Sequence, residues 1–516
     1  MATTTSTMFY GFLFFTWFIT TLLLRSFIKT RLNPKKAVWR PPPSPPALPF
    51  IGHLHLLTSV LPTTFQTLAH RYGPLMQLRI GTAKCVVASD TAVAKEIFKT
   101  QDLNFSSRPE FGSSEYFIYR GSRFVMAQYG EYWRFMKKLC MTRLLAVPQL
   151  DKFLHIREQE VTKLVESLME RSREGKPADM TMDLTTLTNN IICRMAMSAR
   201  CSGTSNDAKV VKDLVKECLV LAGKLSVGDA FGPLKVFNMF GNGKMMISAV
   251  QRYDQLVERI MKEHEEKAMN GCAETEVKDL MDILLEIQKD PCAEVKLSRV
   301  DIKSFLLDVF MAGTDTSSAA MQWAMAHLIN NPKMFNKLRE EINSVVGTNR
   351  LVKESDIPNL PFLRAVVRET LRLHPSAPLI IRECAEDCKI NGYDVKAKTR
   401  VLVNVFAIMR DPNEWKDPNE FMPERFLVNS GEKIGEHQME IKGQNFRYLP
   451  FGSGRRGCPG ASLALLVMHV TIGALVQCFD WKVKGGEKAS TQLGTGFAAE
   501  MAHRLVCYPI TRSNPL

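Results

Sequence analysis

The chain has 516 residues, of which 45% are apolar and 23% charged, an ordinary globular composition that excludes collagen-like, disordered and disulfide-scaffold proteins. The formal net charge is +14, and part of it lies in residues 25–40, which hold six basic side chains and no acidic ones. Basic residues are not interleaved with aromatics, so this charge favours an acidic protein or anionic lipid partner and no nucleic acid.

The first predicted element is a membrane anchor. Residues 8–24 carry no charge, and an extension through residue 28 reaches the roughly 20 residues that cross a bilayer core. The rival interpretation is a cleaved signal peptide, but positive charge follows the apolar run and no small-residue cleavage site comes after it. Basic residues behind the span favour a cytosolic body. This predicts a single-pass protein of the endoplasmic reticulum membrane.

A basic, proline-rich hinge follows the anchor. Residues 41–46 read PPPSPP, which predicts a stiff, extended segment that is either a plain linker or a spacer orienting the body on the membrane. We therefore predict an anchor at 1–30, a hinge at 31–52 and one catalytic domain at 53–516.

Twelve scattered cysteines indicate reduced thiols. The close pair Cys384 and Cys388 is interpreted as two independent thiols.

The body is predicted to be mainly α with small β-sheets. Alternating apolar residues predict a strand around 76–80 and a paired strand at 85–88. Short β segments return at 400–405 and 502–508. The predicted helices cover residues 63–72, 90–99, 131–145, 151–174, 181–198, 210–225, 244–270, 301–330 and 461–479.

The helix predicted at 301–330 is apolar on nearly every face, which places it inside a large core. Pro332 ends it. Its middle nevertheless reads Gly313-Thr314-Asp315-Thr316-Ser317, polar groups that are costly to bury. We expect these groups to have a function, although a threonine that bonds its own backbone fits the same pattern.

Residues 451–460 read FGSGRRGCPG and precede the apolar helix at 461–479. The glycines let the backbone approach a flat ligand closely. The helix N-terminus is expected to lower the pKa of Cys458, and Arg456 can reach an anionic group beside it. A glycine-rich turn with an inert buried cysteine explains the same residues equally well.

The string at 451–460 resembles the heme signature F-x-x-G-x-R-x-C-x-G of the cytochrome P450 superfamily at every fixed position. The resemblance implies one large cytochrome P450-like heme domain with Cys458 as the thiolate ligand of the iron. It also assigns Phe451 and Arg456 to the cofactor site, with Arg456 near a heme propionate.

Further motifs are similar to those of the same family. Glu369-x-x-Arg372 and Arg425 of a PERF segment resemble its structural triad. Residues 312–317 (AGTDTS) resemble its oxygen-activation motif, which implies that Asp315 and Thr316 relay protons and that Gly313 makes room for oxygen.

Two more basic residues are assigned to the heme by the same resemblance. Residues 133–137 are similar to the W-x-x-x-R helix, so Trp133 and Lys137 are expected to grip a propionate. Lysine in the last position keeps the charge but loses the bidentate geometry of arginine. Arg382 fits another propionate contact.

The implied enzyme is a monooxygenase that uses heme b, dioxygen and electrons from NADPH through a partner NADPH-cytochrome reductase. A docking face for the reductase is expected on the basic residues Arg134, Lys137, Lys138, Arg143 and Arg455.

The chain resembles the plant type-A group, near branches that oxidise triterpenoids or flavonoids. We expect a bulky hydrophobic substrate, first a pentacyclic triterpenoid and second a flavonoid. The expected pocket comprises residues 117–128, Phe310, Thr314, 377–381 and 496–498. A reductase-independent isomerase or lyase and a non-catalytic heme protein remain the alternatives.

Overall fold

The computed structural model describes most of the body of the chain. It covers residues 39–49, 51–81, 83–110, 124–198, 207–228 (backbone only in 222–228), 242–270, 277–427, 443–486, 488–495 and 499–516. Five positions of the predicted anchor are also described, and all five are helical: Leu13, Thr16, Trp17, Thr20 and Thr21. The rest of the predicted anchor lies outside the described residues.

The described part is mainly helical, as predicted. In chain order its α-helices are α1 (Leu61–Tyr72), α2 (Thr91–Lys95), α3 (Glu131–Leu139), α4 (Val147–Lys152), α5 (Leu154–Arg173), α6 (Met180–Met197), α7 (Asp207–Gly228), α8 (Asn242–Met269), α9 (Leu280–Lys289), α10 (Arg299–Asn330), α11 (Pro332–Val345), α12 (Pro361–Leu373), α13 (Val405–Ile408) and α14 (Ala461–Cys478).

The strands form small sheets. They are β1 (Leu75–Ile80), β2 (Ala83–Ala88), β3 (Ala178–Asp179), β4 (Leu379–Glu383), β5 (Cys388–Ile390), β6 (Tyr393–Val395), β7 (Arg400–Asn404), β8 (Phe479–Val483) and β9 (Val506–Thr511). One sheet has the order β1-β2-β7-β4, in which β2 and β7 are parallel and the other pairs antiparallel. A second has the order β3-β9-β8, and β5 pairs with β6.

Helix α10 runs through the core. It begins with a capping box in which the Ser298 hydroxyl accepts the Asp301 N–H at 3.1 Å and the Asp301 carboxylate accepts the Ser298 N–H at 2.9 Å. Most of its large apolar side chains are buried, and those of Phe310 and Trp323 are fully buried. It packs against α6 and α14 and ends before Pro332, as predicted.

Helix α14 is the other central element. Among the described residues it is the one helix long and apolar enough to cross a membrane, but 72% of it is buried in the protein. Its apolar side chains join those of α10 in the largest core cluster. Since α14 begins three residues after Cys458, it fixes the position of the loop that carries this cysteine.

The segment before α1 contacts the body directly. The Asp394 N–H donates to the Arg40 carbonyl at 2.7 Å, and the Gln77 N–H donates to the Pro43 carbonyl at 2.8 Å. Gly52 has φ +63°, and a Cβ there would lie 2.4 Å from the Arg79 carbonyl oxygen, so only glycine fits. The proline-rich segment thus lies against β1 and β6. The domain limits at 1–30, 31–52 and 53–516 stay predictions.

Several predicted elements differ in detail. The helices predicted at 90–99 and 131–145 each end in a π-helical turn, Glu96–Thr100 and Cys140–Leu144. The helix predicted at 151–174 is interrupted at Phe153, which separates α4 from α5. The last strand begins at Val506, not at 502. Strand β4 and helix α11 have no counterpart in the prediction.

Candidate active site

The Cys458 loop is held in shape by its glycines and by one backbone bond. The Cys458 N–H donates to the Phe451 carbonyl at 2.9 Å, which closes the loop. Gly454 has φ +71°, and a Cβ there would lie 2.5 Å from a carboxylate oxygen of Asp102 and 2.8 Å from the Phe98 carbonyl. The glycine therefore permits both a left-handed backbone and a close approach to the helical turn of Phe98.

Cys458 is accessible to solvent although it lies among densely packed protein. Burial raises the pKa of its thiol, whereas the N–H groups of Gly460 and Ala461 and the ammonium of Lys137 act to lower it. The N–H groups at the start of the helix therefore act in the expected direction, but burial outweighs them and the pKa of the thiol is raised on balance. An accessible thiol of this kind becomes a thiolate when a metal cation binds it.

Three arginines converge beside this loop. Burial lowers the pKa of Arg382, and the neighbouring charges of Arg108 and Arg456 lower it further. The pKa of Arg456 falls to about 9 through burial and the charge of Arg108. The Arg108 Nε atom is buried and has no hydrogen-bond partner in the described part of the chain. Asp308 acts on Arg108 and Asp102 on Arg382 in the opposite direction, but burial dominates in both cases. Three guanidinium groups that repel one another are suited to binding an anion.

The three arginines are attached to different elements. Arg382 lies on β4, with its guanidinium 5.4 Å from the Phe98 ring centroid, and donates to the Ile381 carbonyl at 3.0 Å. Arg456 donates to the Ser106 carbonyl at 2.7 Å. Arg456 also donates to the carbonyls of Val125 and Ala127.

Arg108 was missed by the sequence analysis. It lies in a loop two residues after Ser106, and no spacing in the sequence relates it to Arg382 or Arg456. Its contribution is visible only once the fold brings the three segments together.

Trp133 and Lys137 take different places on α3. The Trp133 ring supports the guanidinium of Arg456, with 4.5 Å from the Cζ atom to the ring centroid. Lys137 donates from Nζ to the Gly457 carbonyl at 2.5 Å. Trp133 therefore adjoins the arginine cluster, whereas the Lys137 ammonium is bonded to the cysteine loop itself.

The polar segment of α10 lies at a point where the helix is accessible. Ala312 is exposed although Phe310 and Thr314 on either side are buried. Burial raises the pKa of Asp315, and Lys216 and Lys212 of α7 act in the opposite direction. The Thr316 hydroxyl donates to the Ala312 carbonyl at 2.7 Å, which is the backbone bond expected of a helix-bending threonine.

Gly313 serves helix packing. A Cβ at this position would lie 2.8 Å and 2.9 Å from two side-chain carbons of Ile192 on α6. The role of Gly313 in making room for oxygen stays a prediction, and its close contact with Ile192 gives it a packing role as well. The exposed residue of the motif is its neighbour Ala312.

Residues 376–382 connect the polar segment of α10 to the cysteine loop. The Ser376 hydroxyl donates to the Thr316 carbonyl at 2.9 Å. A few residues on, Ile380 lies 3.3 Å from where a Cβ of Gly452 would be. Ala377, which was predicted to line the pocket, is exposed. Of the other predicted pocket segments, 117–123 and 496–498 lie outside the described residues.

The predicted structural triad is confirmed. Arg372 donates to both oxygens of Glu369, at 2.7 Å and 2.9 Å, and Arg425 donates to the same carboxylate at 3.1 Å. The side chains of Glu369 and Arg372 are fully buried. Arg372 also donates to the carbonyls of Met409 and Pro418, so the triad joins α12 to the segment before the cysteine loop.

The arrangement defines a cysteine-anchored site for a flat, anionic cofactor. It combines a loop made narrow by glycine, one accessible sulfur and a buried cluster of three guanidinium groups. Heme b matches each of these features, since it is planar, takes a thiolate on its iron and carries two carboxylates. The residues present therefore fit this cofactor.

The chain belongs to the cytochrome P450 family, whose model matches residues 42–507. It is 44% identical to the 3,9-dihydroxypterocarpan 6A-monooxygenase of Glycine max, over 92% of this chain and 94% of that protein. It is 42% identical to the beta-amyrin 24-hydroxylase of Glycine max, over 98% of both chains. The enzyme class, a cytochrome P450 monooxygenase, is thereby established.

A solved structure shares the fold. A zebrafish cytochrome P450 determined with progesterone superimposes with a TM-score of 0.74, at 24% identity, over 87% of this chain and 99% of that one. The predicted fold class is therefore confirmed.

Proposed function

We propose that the chain is a membrane-anchored heme-thiolate monooxygenase that hydroxylates a bulky hydrophobic plant metabolite. When bound, heme supplies the reductive activation of dioxygen, so that one oxygen atom enters the substrate and the other leaves as water. The observation that carries the cofactor assignment is the buried arginine cluster beside the accessible sulfur of Cys458.

In this proposal the Cys458 thiolate would bind the heme iron, and Arg108, Arg382 and Arg456 would pair with the heme carboxylates. Trp133 fixes the direction of Arg456 by stacking against it. Lys137 stabilises negative charge on the cysteine sulfur from its bond to the Gly457 carbonyl. Phe451 closes the loop through its carbonyl.

Asp315 and Thr316 are proposed to deliver protons on the side of α10. The raised pKa of Asp315 lets its carboxyl keep a proton at a higher pH than an exposed aspartate does. The Thr316 hydroxyl donates to the Ala312 carbonyl. In the proposed relay the hydroxyl rotates away from that carbonyl, donates its proton toward the oxygen site and accepts a replacement proton from the surroundings of the helix.

Our first candidate substrate is a pentacyclic triterpenoid. The 24-hydroxylase relative supports it, because the match covers nearly the whole of both chains. Ala312 and Ala377 have small side chains, which would suit a bulky fused-ring skeleton beside them. Hydroxylation, with further oxidation of the same carbon to a carboxylic acid, is the reaction we propose.

The second candidate is a flavonoid-derived ring system, supported by the pterocarpan monooxygenase at 44% identity. The two are distinguished by expressing the full chain in yeast with a plant NADPH-cytochrome reductase and supplying beta-amyrin or 3,9-dihydroxypterocarpan. We expect an NADPH-dependent product one oxygen heavier from beta-amyrin. Product from the pterocarpan alone would favour the second candidate. Conversion of a hydroperoxide without NADPH or reductase would favour the isomerase or lyase alternative.

The electron donor is proposed to be a separate reductase in the endoplasmic reticulum membrane. All of the predicted docking residues except Lys137 are exposed. Lys138 pairs with Glu294 at 2.5 Å, Arg455 pairs with Asp102 at 2.8 Å, and the Arg134 guanidinium lies 5.9 Å from the Tyr129 ring centroid. Arg143 is therefore the first position to test. Its charge reversal should slow reduction at low salt and have less effect at high salt.

A further inference from the structure

Two cysteine thiols other than Cys458 lie in contact just after the end of β4. The sulfur atoms of Cys384 and Cys388 are 3.6 Å apart. The sequence favoured two independent thiols, and this interpretation is wrong because the turn between β4 and β5 folds the two side chains onto each other. Zinc needs further ligands, and in the described part of the chain the one group of three or more metal-ligating side chains is His264, Asp279 and Asp282.

We propose that Cys384 and Cys388 form a redox-active dithiol that closes to an intrachain disulfide when hydrogen peroxide oxidises it. The two thiols differ in access: Cys384 is completely buried, whereas Cys388 is partly exposed. An oxidant from solvent therefore reaches Cys388 first, and Cys384 lies behind it as the resolving thiol.

The local contacts favour the same order of attack. Hydrogen bonding from Cys384 lowers the pKa of Cys388, which increases its thiolate fraction. The Cys384 thiol lies 2.9 Å from the Glu386 carbonyl, and Asn104 donates to the Cys384 sulfur at 3.7 Å. Each of these contacts keeps Cys384 in position beside Cys388.

The reaction balances with one peroxide per dithiol. The Cys388 thiolate attacks one peroxide oxygen, an S–O bond forms, the O–O bond breaks, and the departing hydroxide takes up a proton to become water. The Cys384 sulfur then attacks the Cys388 sulfur, the S–S bond forms, and the hydroxyl of the sulfenic acid leaves as water with the Cys384 proton. Two thiols are oxidised by two electrons, and hydrogen peroxide is reduced to two waters.

Disulfide formation also affects the neighbouring arginine site. The Glu383 N–H donates to the Ser107 carbonyl and the Ala385 N–H to the Asn104 carbonyl, both at 2.9 Å. This clamp joins the segment before Arg108 to the strand that carries Arg382. Shortening the sulfur–sulfur distance to about 2.05 Å is expected to move the backbone that makes these two hydrogen bonds. Oxidation is therefore expected to disturb the clamp. This consequence rests on the proposed cofactor contacts, whereas the disulfide itself does not.

The test is peptide mapping of the heme-loaded full chain after brief treatment with hydrogen peroxide. Trypsin cleaves after Arg382 and Lys389, so both cysteines fall in the peptide of residues 383–389 (ECAEDCK). After blocking of free thiols with iodoacetamide, we expect this peptide to be unalkylated and lighter by two hydrogen atoms. Treatment with dithiothreitol before blocking should restore the doubly alkylated form.

Three variants make the test specific. In Cys384→Ser, Cys388 should stop at the sulfenic acid, which dimedone traps, and in Cys388→Ser, Cys384 should stay reduced. Cys292 is exposed and serves as the matched control, since Cys292→Ser should leave the disulfide unchanged. Two alkylated thiols after peroxide treatment, or a Cys388 sulfinic acid without any disulfide, would overturn the proposal.

The consequence has its own readout. Oxidised wild-type protein should lose heme faster than the reduced form, and Cys388→Ser should show no such difference. A disulfide with unchanged heme loss would keep the redox site and remove its connection to the arginine cluster. Failure of all heme binding would instead count against the proposed function.

Discussion

The guanidinium of Arg456 stacks on the indole of Trp133, with 4.5 Å from its Cζ atom to the ring centroid. The contact sets the direction of the guanidinium, which also donates to three backbone carbonyls. Those carbonyls are neutral, and the pKa of Arg456 remains lowered to about 9 by burial and by Arg108. Asp308 acts on Arg108 and Asp102 on Arg382 in the opposite direction, and burial still dominates both shifts. In the proposed function, the heme propionates add the further negative charge that stabilises the cluster.

Arg108→Leu should weaken heme binding about tenfold or more, the effect of losing a charge-assisted hydrogen bond of about 1.5–3 kcal/mol. The measurement is the rate of heme transfer from the holoenzyme to an excess of apomyoglobin. Arg504→Leu is the matched control, because Arg504 is 63% exposed and pairs with Asp179 at the surface. Equal heme loss in the two variants would refute the role of Arg108.

The cysteine loop and the arginine cluster show what the sequence can and cannot predict. The loop is continuous in sequence, so its glycines, Arg456 and Cys458 identify it directly. Arg108 joins the site from a segment distant in sequence from Arg382 and Arg456, and such tertiary proximity leaves no local pattern. Strand β4 escaped prediction because all of its first three residues are partly buried, so alternation is absent.

The same distinction applies within α10. The sequence located the buried helix and its polar centre correctly, because a helix apolar all round must lie in a core. It did not predict the contact of Gly313 with Ile192, since this contact depends on how closely α6 approaches. The distance between helices is a property of tertiary packing.

Gly313→Ala should destabilise the protein by about 1–3 kcal/mol, because the added methyl group overlaps the Ile192 side chain. A double-mutant cycle with Ile192→Ala isolates this contact in urea unfolding. We expect the cost of Gly313→Ala to be largely removed in the Ile192→Ala background. Additive costs would show that the two residues do not interact.

Glu369→Gln should destabilise the protein by about 3–5 kcal/mol, because it leaves Arg372 buried without its counter-charge. The exposed pair of Lys337 and Glu424, at 2.9 Å, provides the comparison. Glu424→Gln should cost about 0–1 kcal/mol. Urea unfolding of both variants measures the difference, and similar losses would contradict the distinction between the buried and exposed pairs.

Asp315→Asn should lower product formation about a hundredfold, a typical contribution of a positioned proton donor, without weakening heme binding. Burial raises the pKa of Asp315, so its protonated fraction falls as pH rises through that raised value. The wild-type rate should therefore decline on the alkaline side, and the variant should lack this limb. Asp213→Asn on the exposed face of α7 is the control and should retain the wild-type profile.

The bond between the Cys458 sulfur and heme iron is tested most directly by the absorbance of the reduced, carbon-monoxide-treated holoenzyme. The wild-type protein should show the strongly red-shifted band that thiolate coordination produces, and Cys458→His should show an unshifted band at the same heme content. An unshifted band from heme-loaded wild-type protein would contradict the account.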